Sequence, residues 1–222
     1  MEFTKRLELK VEDLRQKAME HPFVDGLGSG KLPKEIFKYY LVQDYLYLID
    51  YAKIFALGAI KARDIELIQN FTNSQNLILN SEMETHRGYM KEFGISLEEA
   101  NRSKPSQINL SYTHYMYTKT AQGGVEEFVA AILPCMWGYL EIADRLVEKF
   151  GIQEDNLYKN WLEMYTSDEF REQTYYFKDL INKIALTKTS DELDYLEEIF
   201  VNTTKYEYLF WDMAYKQESW QV

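Results

Sequence analysis

Apolar positions recur at helical spacing from the start of the chain. Leu7, Val11, Leu14 and Ala18 share one face of a segment that is otherwise rich in charge, so Phe3 to Glu20 reads as an amphipathic helix. His21-Pro22 ends it, because the residue before a proline is pushed out of helical backbone. Asp25-Gly26-Leu27-Gly28-Ser29-Gly30 lacks the strand–turn–helix setting of a phosphate loop and reads as a connecting loop. Leu32-Pro33 opens a helix from Pro33 to Tyr51 or beyond. Helix continues over Ala52 to Ala62 and, after a break near Arg63-Asp64, to about Phe93, with Gly94 as its C-cap. Glu98 to Pro105 reads as a polar connection. Further helices are expected from about Ser106 to Thr120, through the central apolar run to Phe150-Gly151, and over Asp155 to Tyr165, Asp168 to Leu186 and Ser190 to about Tyr215. Ser167 and Thr189-Ser190 stand ahead of first-turn acids, as N-caps do. No Val/Ile/Thr run alternates with period two, so no sheet is expected. The pattern predicts an all-α fold: one domain over residues 1–222, with no repeat or linker and roughly seven to nine helices.

The central run is the most apolar part. Between Glu127 and Glu141 there is no charge for 13 residues, too short for a membrane span and long enough for a buried helix. Pro134 removes one helical hydrogen bond and tends to kink the chain. Gly138 leaves room for something to approach the backbone. Cys135 and Tyr139, four apart, stack on one helical face. A lone cysteine in such a helix is ordinarily an inert core residue, so any chemistry at Cys135 has to be argued from the rest of the chain.

Composition narrows the choices. The net charge of -11 at pH 7 argues against a nucleic-acid partner, which needs a basic footprint. No Lys/Arg block points to an anionic membrane surface. The single cysteine cannot form an internal disulfide, which fits a reducing cytoplasm, and the N-terminus shows no apolar segment of a signal peptide. The 18 tyrosines are high for this length and suit a site for a flat polar ring, or a subunit interface.

Two acids stand among aromatics. Asp44 shares a helical face with Tyr47 and Tyr51, and Glu207 lies in Tyr206-Glu207-Tyr208-Leu209-Phe210-Trp211. Buried acids need partners. Metal ligation is disfavoured: Glu82 and His86 sit at i and i+4, but a di-iron Glu-x-x-His motif needs an acid where Met83 stands, so Glu82 and His86 are read as surface or packing residues. His21, at a helix end beside proline, is a poor axial haem ligand. No Cys–His pair is visible either. Brought together by the fold, Cys135, Asp44 and Glu207 would place one nucleophile and two carboxyls in an aromatic pocket, where desolvation raises a carboxyl into the range of a proton donor near neutral pH.

Three segments then resemble the TenA family of thiaminase II or aminopyrimidine aminohydrolase enzymes. They are His21-Pro22-Phe23-Val24 through Leu32-Pro33 and Phe37-x-x-Tyr40-Leu41-x-Gln43-Asp44, then Ala131-x-Leu133-Pro134-Cys135-x-Trp137-Gly138-Tyr139, and Glu207-Tyr208-x-Phe210-Trp211-x-Met213-Ala214. The likeness runs from about His21 to Tyr215, and its cysteine marks the branch that uses a thiol. The resemblance implies a haem-oxygenase-like helical bundle that binds no haem, and usually a homotetramer. It implies hydrolysis of 4-amino-5-aminomethyl-2-methylpyrimidine, a breakdown product of thiamin, to the hydroxymethylpyrimidine and ammonia, with slower cleavage of thiamin and no metal or cofactor. By position it gives Cys135 as nucleophile and Glu207 as acid/base. Asp44 would accept hydrogen bonds from the pyrimidine's amino side, and Tyr47 would favour the thiolate as a phenol donor. Tyr112, Tyr139 and Tyr165 would line the pocket. Two other readings compete: a non-catalytic pyrimidine-sensing regulator acting through a protein partner, and a redox or pyrroloquinoline-type enzyme in the same fold. The lack of a convincing axial histidine counts against the latter.

Overall fold

The computed structural model describes residues 2–220; the ends of the expected 1–222 domain, Met1, Gln221 and Val222, lie outside the described residues. Among the described residues there are eleven α-helices, one π-helical turn and no strand. The all-helical expectation holds, and the count exceeds seven to nine because two short helices stand where connections were expected and one expected helix is divided in two.

The first of these is α2, Pro22–Gly28, after α1, Phe3–Met19. Pro22 sits at the first helical turn, where its missing N–H costs nothing, and the His21 ring accepts from the Phe23 N–H at 3.1 Å. His21 is thus a helix cap rather than only a terminator, and the glycine-rich stretch is largely helical. The second is α6, Leu97–Arg102, capped by Ser96 on the Glu99 N–H at 3.1 Å with acids in its first turn.

Helix α3 runs unbroken over Lys34–Lys61. The break at Arg63-Asp64 is real: Asp64 caps α4, Ile65–Leu77, by accepting from Glu66 N–H at 2.8 Å. The helix expected onward to Phe93 is interrupted by the π turn Ile78–Glu82, then resumes as α5, Met83–Phe93, closed by Gly94 in the left-handed region at φ 73°. Helix α7 spans Gln107–Gln122, α8 Val125–Phe150, α9 Lys159–Tyr165, α10 Asp168–Ala185 and α11 Ser190–Lys216. Thr189 and Glu192 cap α11 reciprocally.

The central run forms the inner part of α8, which packs against α11, α10, α7 and α3. Phe128 to Leu133 have no exposed surface, so burial on all sides explains a charge-free run that is not a membrane span. No helix among the described residues is long and apolar enough to cross a membrane. The backbone stays helical through Pro134. Nearby, the Tyr51 hydroxyl donates to the Ile132 carbonyl at 3.0 Å and ties α3 to α8 beside that proline.

Candidate active site

Six helices and the π turn direct polar groups to one place in the core. Helix α3 contributes Tyr40, Asp44, Tyr47 and Tyr51 from a single face, as helical spacing requires. The π turn contributes Glu82, α5 His86, α7 Tyr112, α8 Cys135 and Tyr139, α9 Trp161 and Tyr165, and α11 Glu207. The seven residues singled out from sequence, Cys135, Glu207, Tyr47, Asp44, Tyr112, Tyr139 and Tyr165, all fall in this cluster.

One half surrounds the sulfur. Cys135 keeps some accessible surface although its neighbours Pro134 and Met136 are buried, so open space adjoins it deep in the fold. Tyr112 donates its hydroxyl to Glu207 Oε1. The Tyr47 ring lies 5.3 Å from Tyr112 and 5.2 Å from Tyr51, and the Tyr112 ring stacks on Tyr206 at 5.4 Å. The buried Tyr47 hydroxyl faces the sulfur without meeting it in hydrogen-bond geometry, and has no other partner among the described residues.

Electrostatics set the resting protonation. Burial pushes the Cys135 thiol well above its ordinary range, and the charge of Glu207 pushes the same way, against the Tyr47 hydroxyl. Glu207 is itself raised to about 8, first by burial and then by the charge of Asp44, with Tyr112 and Cys135 opposing. At neutral pH the pair therefore rests as a thiol and a largely protonated acid. The Tyr47 hydroxyl works against the rise at Cys135, but burial outweighs it.

The other half is a polar network. Tyr40 donates to Asp44 Oδ2 at 2.9 Å and lies 3.4 Å from the Tyr139 hydroxyl, while Trp161 Nε1 donates to Tyr40 at 3.2 Å. Tyr139 and Tyr165 rings are 4.7 Å apart, and Tyr165 donates to Glu82 Oε1 at 2.7 Å. Burial raises Glu82 to about 7, with Asp44 adding to the rise and Tyr165 and His86 opposing it. Glu82 also lines a surface depression with Leu77, Ser81, Met164 and Phe170.

Sequence reading missed His86 and Glu82 here. His86 is 2% exposed, with Nε2 2.7 Å from Asp44 Oδ2. Their i, i+4 spacing signals a shared face, but sequence alone reads them as surface or packing residues, and it is burial against Asp44 that sets His86 apart. No group of three or more His, Cys, Asp or Glu among the described residues has metal-binding geometry.

Comparisons agree with this architecture. A family model described as the TENA/THI-4/PQQC family matches residues 8–217. The chain is 39% identical over 220 residues to the aminopyrimidine aminohydrolase of Halalkalibacterium halodurans, covering 99% of this chain and 98% of that protein. The solved TenA homologue protein from P. horikoshii OT3 superposes with a TM-score of 0.91 at 29% identity, over 98% of this chain and 100% of that one. A domain of unknown function with a heme oxygenase-like fold, from Shewanella denitrificans, gives a TM-score of 0.74 at 16% identity, over 96% and 92%, which shows the fold alone.

Proposed function

We propose, since the chain belongs to the TENA/THI-4/PQQC family, that it is an aminopyrimidine aminohydrolase, a C–N bond hydrolase using Cys135 as nucleophile. The substrate is 4-amino-5-aminomethyl-2-methylpyrimidine, and the products are the hydroxymethylpyrimidine and ammonia. The observation that carries this reading is the convergence of a thiol, a near-neutral acid and a buried carboxylate within one aromatic pocket, from helices far apart in sequence. Such a pocket takes a flat, amine-bearing ring through stacking and hydrogen bonds.

The chemistry starts from the minority form of the pair, a thiol beside an ionised Glu207, which a carboxyl near 8 still populates at neutral pH. Ionised Glu207 takes the thiol proton, and the sulfur forms a C–S bond to the aminopyrimidine as the methylene C–N bond breaks, its electron pair leaving with nitrogen. Protonated Glu207 returns that proton to the departing amine. Water then replaces sulfur: a C–O bond forms, the C–S bond breaks, and a water proton restores the thiol through Glu207. A carboxyl near 8 serves both directions at neutral pH, because neither form is far from populated. Asp44 accepts from the ring's amino group, while Tyr112, Tyr139 and Tyr165 hold the ring. Thiamin is a slower substrate on this reading, one domain spans residues 1–222, and assembly is homotetrameric in the cytoplasm.

The test is ammonia release from the aminomethylpyrimidine beside thiazole release from thiamin, for wild type and Cys135→Ser. Loss of roughly a thousandfold or more in kcat with unchanged circular dichroism is the expected result. A Cys135→Ser protein retaining most of its activity would sink the covalent route, and silence of the folded wild type on both substrates would sink the hydrolase reading.

A further inference from the structure

Both ring nitrogens of His86 have close oxygen partners. Its Nδ1 lies 2.9 Å from the backbone carbonyl of Glu82, a group that only accepts, so Nδ1 carries a proton. Its Nε2 lies 2.7 Å from Asp44 Oδ2, too close for a bare nitrogen lone pair against a bare carboxylate. A proton must therefore lie between Nε2 and Oδ2, in addition to the one on Nδ1. Tyr40 donates to the same Oδ2 at 2.9 Å, so that oxygen already accepts one hydrogen bond from the other side.

We propose that His86 is a positioning residue, held as an imidazolium that compensates the charge of Asp44 and fixes that carboxylate with its other oxygen facing the substrate ring. The groups facing the pair are Asp44 and Tyr40 on α3 and Glu82 on the π turn, with Tyr165 of α9 on the Glu82 carboxyl and Tyr139 of α8 on the Tyr40 hydroxyl. Burial disfavours the charged ring, but the hydrogen bond and charge of Asp44, with Glu82 behind it, raise His86 above its ordinary value. The arrangement has a chemical use. Asp44, Glu82 and Glu207 are three carboxyls around one desolvated site, and a fixed cation beside Asp44 lets it remain an acceptor while Glu207 keeps its proton. The Oδ2 atom is occupied by His86 and Tyr40, so Oδ1 is left for one N–H of the ring's amino substituent.

The kinetic part of this inference rests on the proposed hydrolase activity, whereas the protonation part does not. Two measurements separate them. In the first, nitrogen-15 NMR of imidazole-labelled wild type at pH 7, without substrate, reads His86 directly. Protons on both ring nitrogens are expected, and an unprotonated Nε2 would overturn the proposal. In the second, His86→Gln is compared with wild type in a pH profile of ammonia release. The glutamine keeps a neutral donor near Asp44 but removes the positive charge. Expected are a fall in kcat/KM of about 10- to 100-fold, and a displaced acidic limb because the protonated ring beside Asp44 is gone. A uniform fall with the acidic limb unmoved would mean a merely structural role and would defeat the proposal. If wild type is silent on the aminopyrimidine, the hydrolase reading fails by itself and the NMR result alone decides the proton. If His86→Gln does not fold, the same NMR measurement still decides.

Discussion

Glu207 is a carboxyl that the fold holds close to neutrality. Its ordinary value of 4.5 rises to about 8 in the folded protein, so between those limits the native state binds a proton that the unfolded chain has released. The stabilisation this gives is complete below 4.5 and is lost as pH rises through about 8. A glutamine there has the shape of the protonated acid and no charge to desolvate. Glu207→Gln should therefore abolish ammonia release and raise thermal stability, with little gain at pH 5 and roughly 1–4 kcal/mol at pH 8. At about 2–4 °C per kcal/mol for a chain of this size, thermal unfolding at the two pH values reads the difference. A gain that does not grow with pH would mean that Glu207 is not the buried acid described. Asp44 and Glu207 were legible in the sequence because an acid inside an apolar helix breaks the local pattern and demands a reason, whereas Cys135, an ordinary core residue by pattern, stood out only through its neighbours and the family resemblance of its segment. His86 was not legible, since its helix is amphipathic and a histidine there breaks nothing. Only the fold brings it onto Asp44, 42 residues away.

Helices α3 and α8 pack together where Gly58 meets Phe128. A Cβ built on Gly58 would lie 2.7 Å from the ring of Phe128, a fully buried side chain with no open space to retreat into. Both helices carry site residues, Asp44 and Tyr47 on one, Cys135 and Tyr139 on the other, so a shift at this contact also moves elements of the pocket. Gly58→Ala should cost about 1–3 kcal/mol by overpacking and lower activity as the helices are pushed apart. Gly88 is the control: it is exposed on α5, a Cβ there meets nothing within 4 Å, and Gly88→Ala should stabilise by about 0.5–1 kcal/mol. Urea unfolding of both variants separates the two effects, and a neutral Gly58→Ala would refute the close-packing argument. The same contrast explains the misread connection. Gly26, Gly28 and Gly30 suggested a loop, yet only Gly30 takes a positive φ, 70°, while Gly28 is small because Leu146 presses on it, with Cδ2 2.5 Å from where a Cβ would stand. Sequence shows that a residue is small but not whether a turn or a neighbour requires it. The π turn at Ile78–Glu82 left no mark in the pattern either, because one wider turn shifts the apolar face too little to break its periodicity.

For the molecule as a whole, helical periodicity without any period-two run was enough to give the fold class, because long amphipathic stretches settle the element type even where their ends stay indistinct. Charge bears on how the regulatory alternative could act, through a protein partner rather than on DNA itself. The chain has 36 acidic side chains against 25 lysines and arginines. Several of those cations are already neutralised by acids: Arg6 by Asp194 and Glu197, Arg171 by Asp144, Lys188 by Glu126. Phosphate contacts release counterions only where unpaired cations line a surface, and a net charge of -11 repels a duplex from a distance as well. A regulator that touches DNA itself is therefore disfavoured on grounds independent of the active site. In a mobility-shift experiment at about 50 mM salt, where electrostatic binding is strongest, micromolar protein should leave duplex DNA unretarded. The same negative charge attracts the protonated aminomethyl group of the proposed substrate, so raising the salt should slow ammonia release at low substrate concentration, through kcat/KM, and leave kcat unchanged. Retardation of the duplex, or a salt effect on kcat instead, would mean that the surface field acts in some way other than steering a small cation inward.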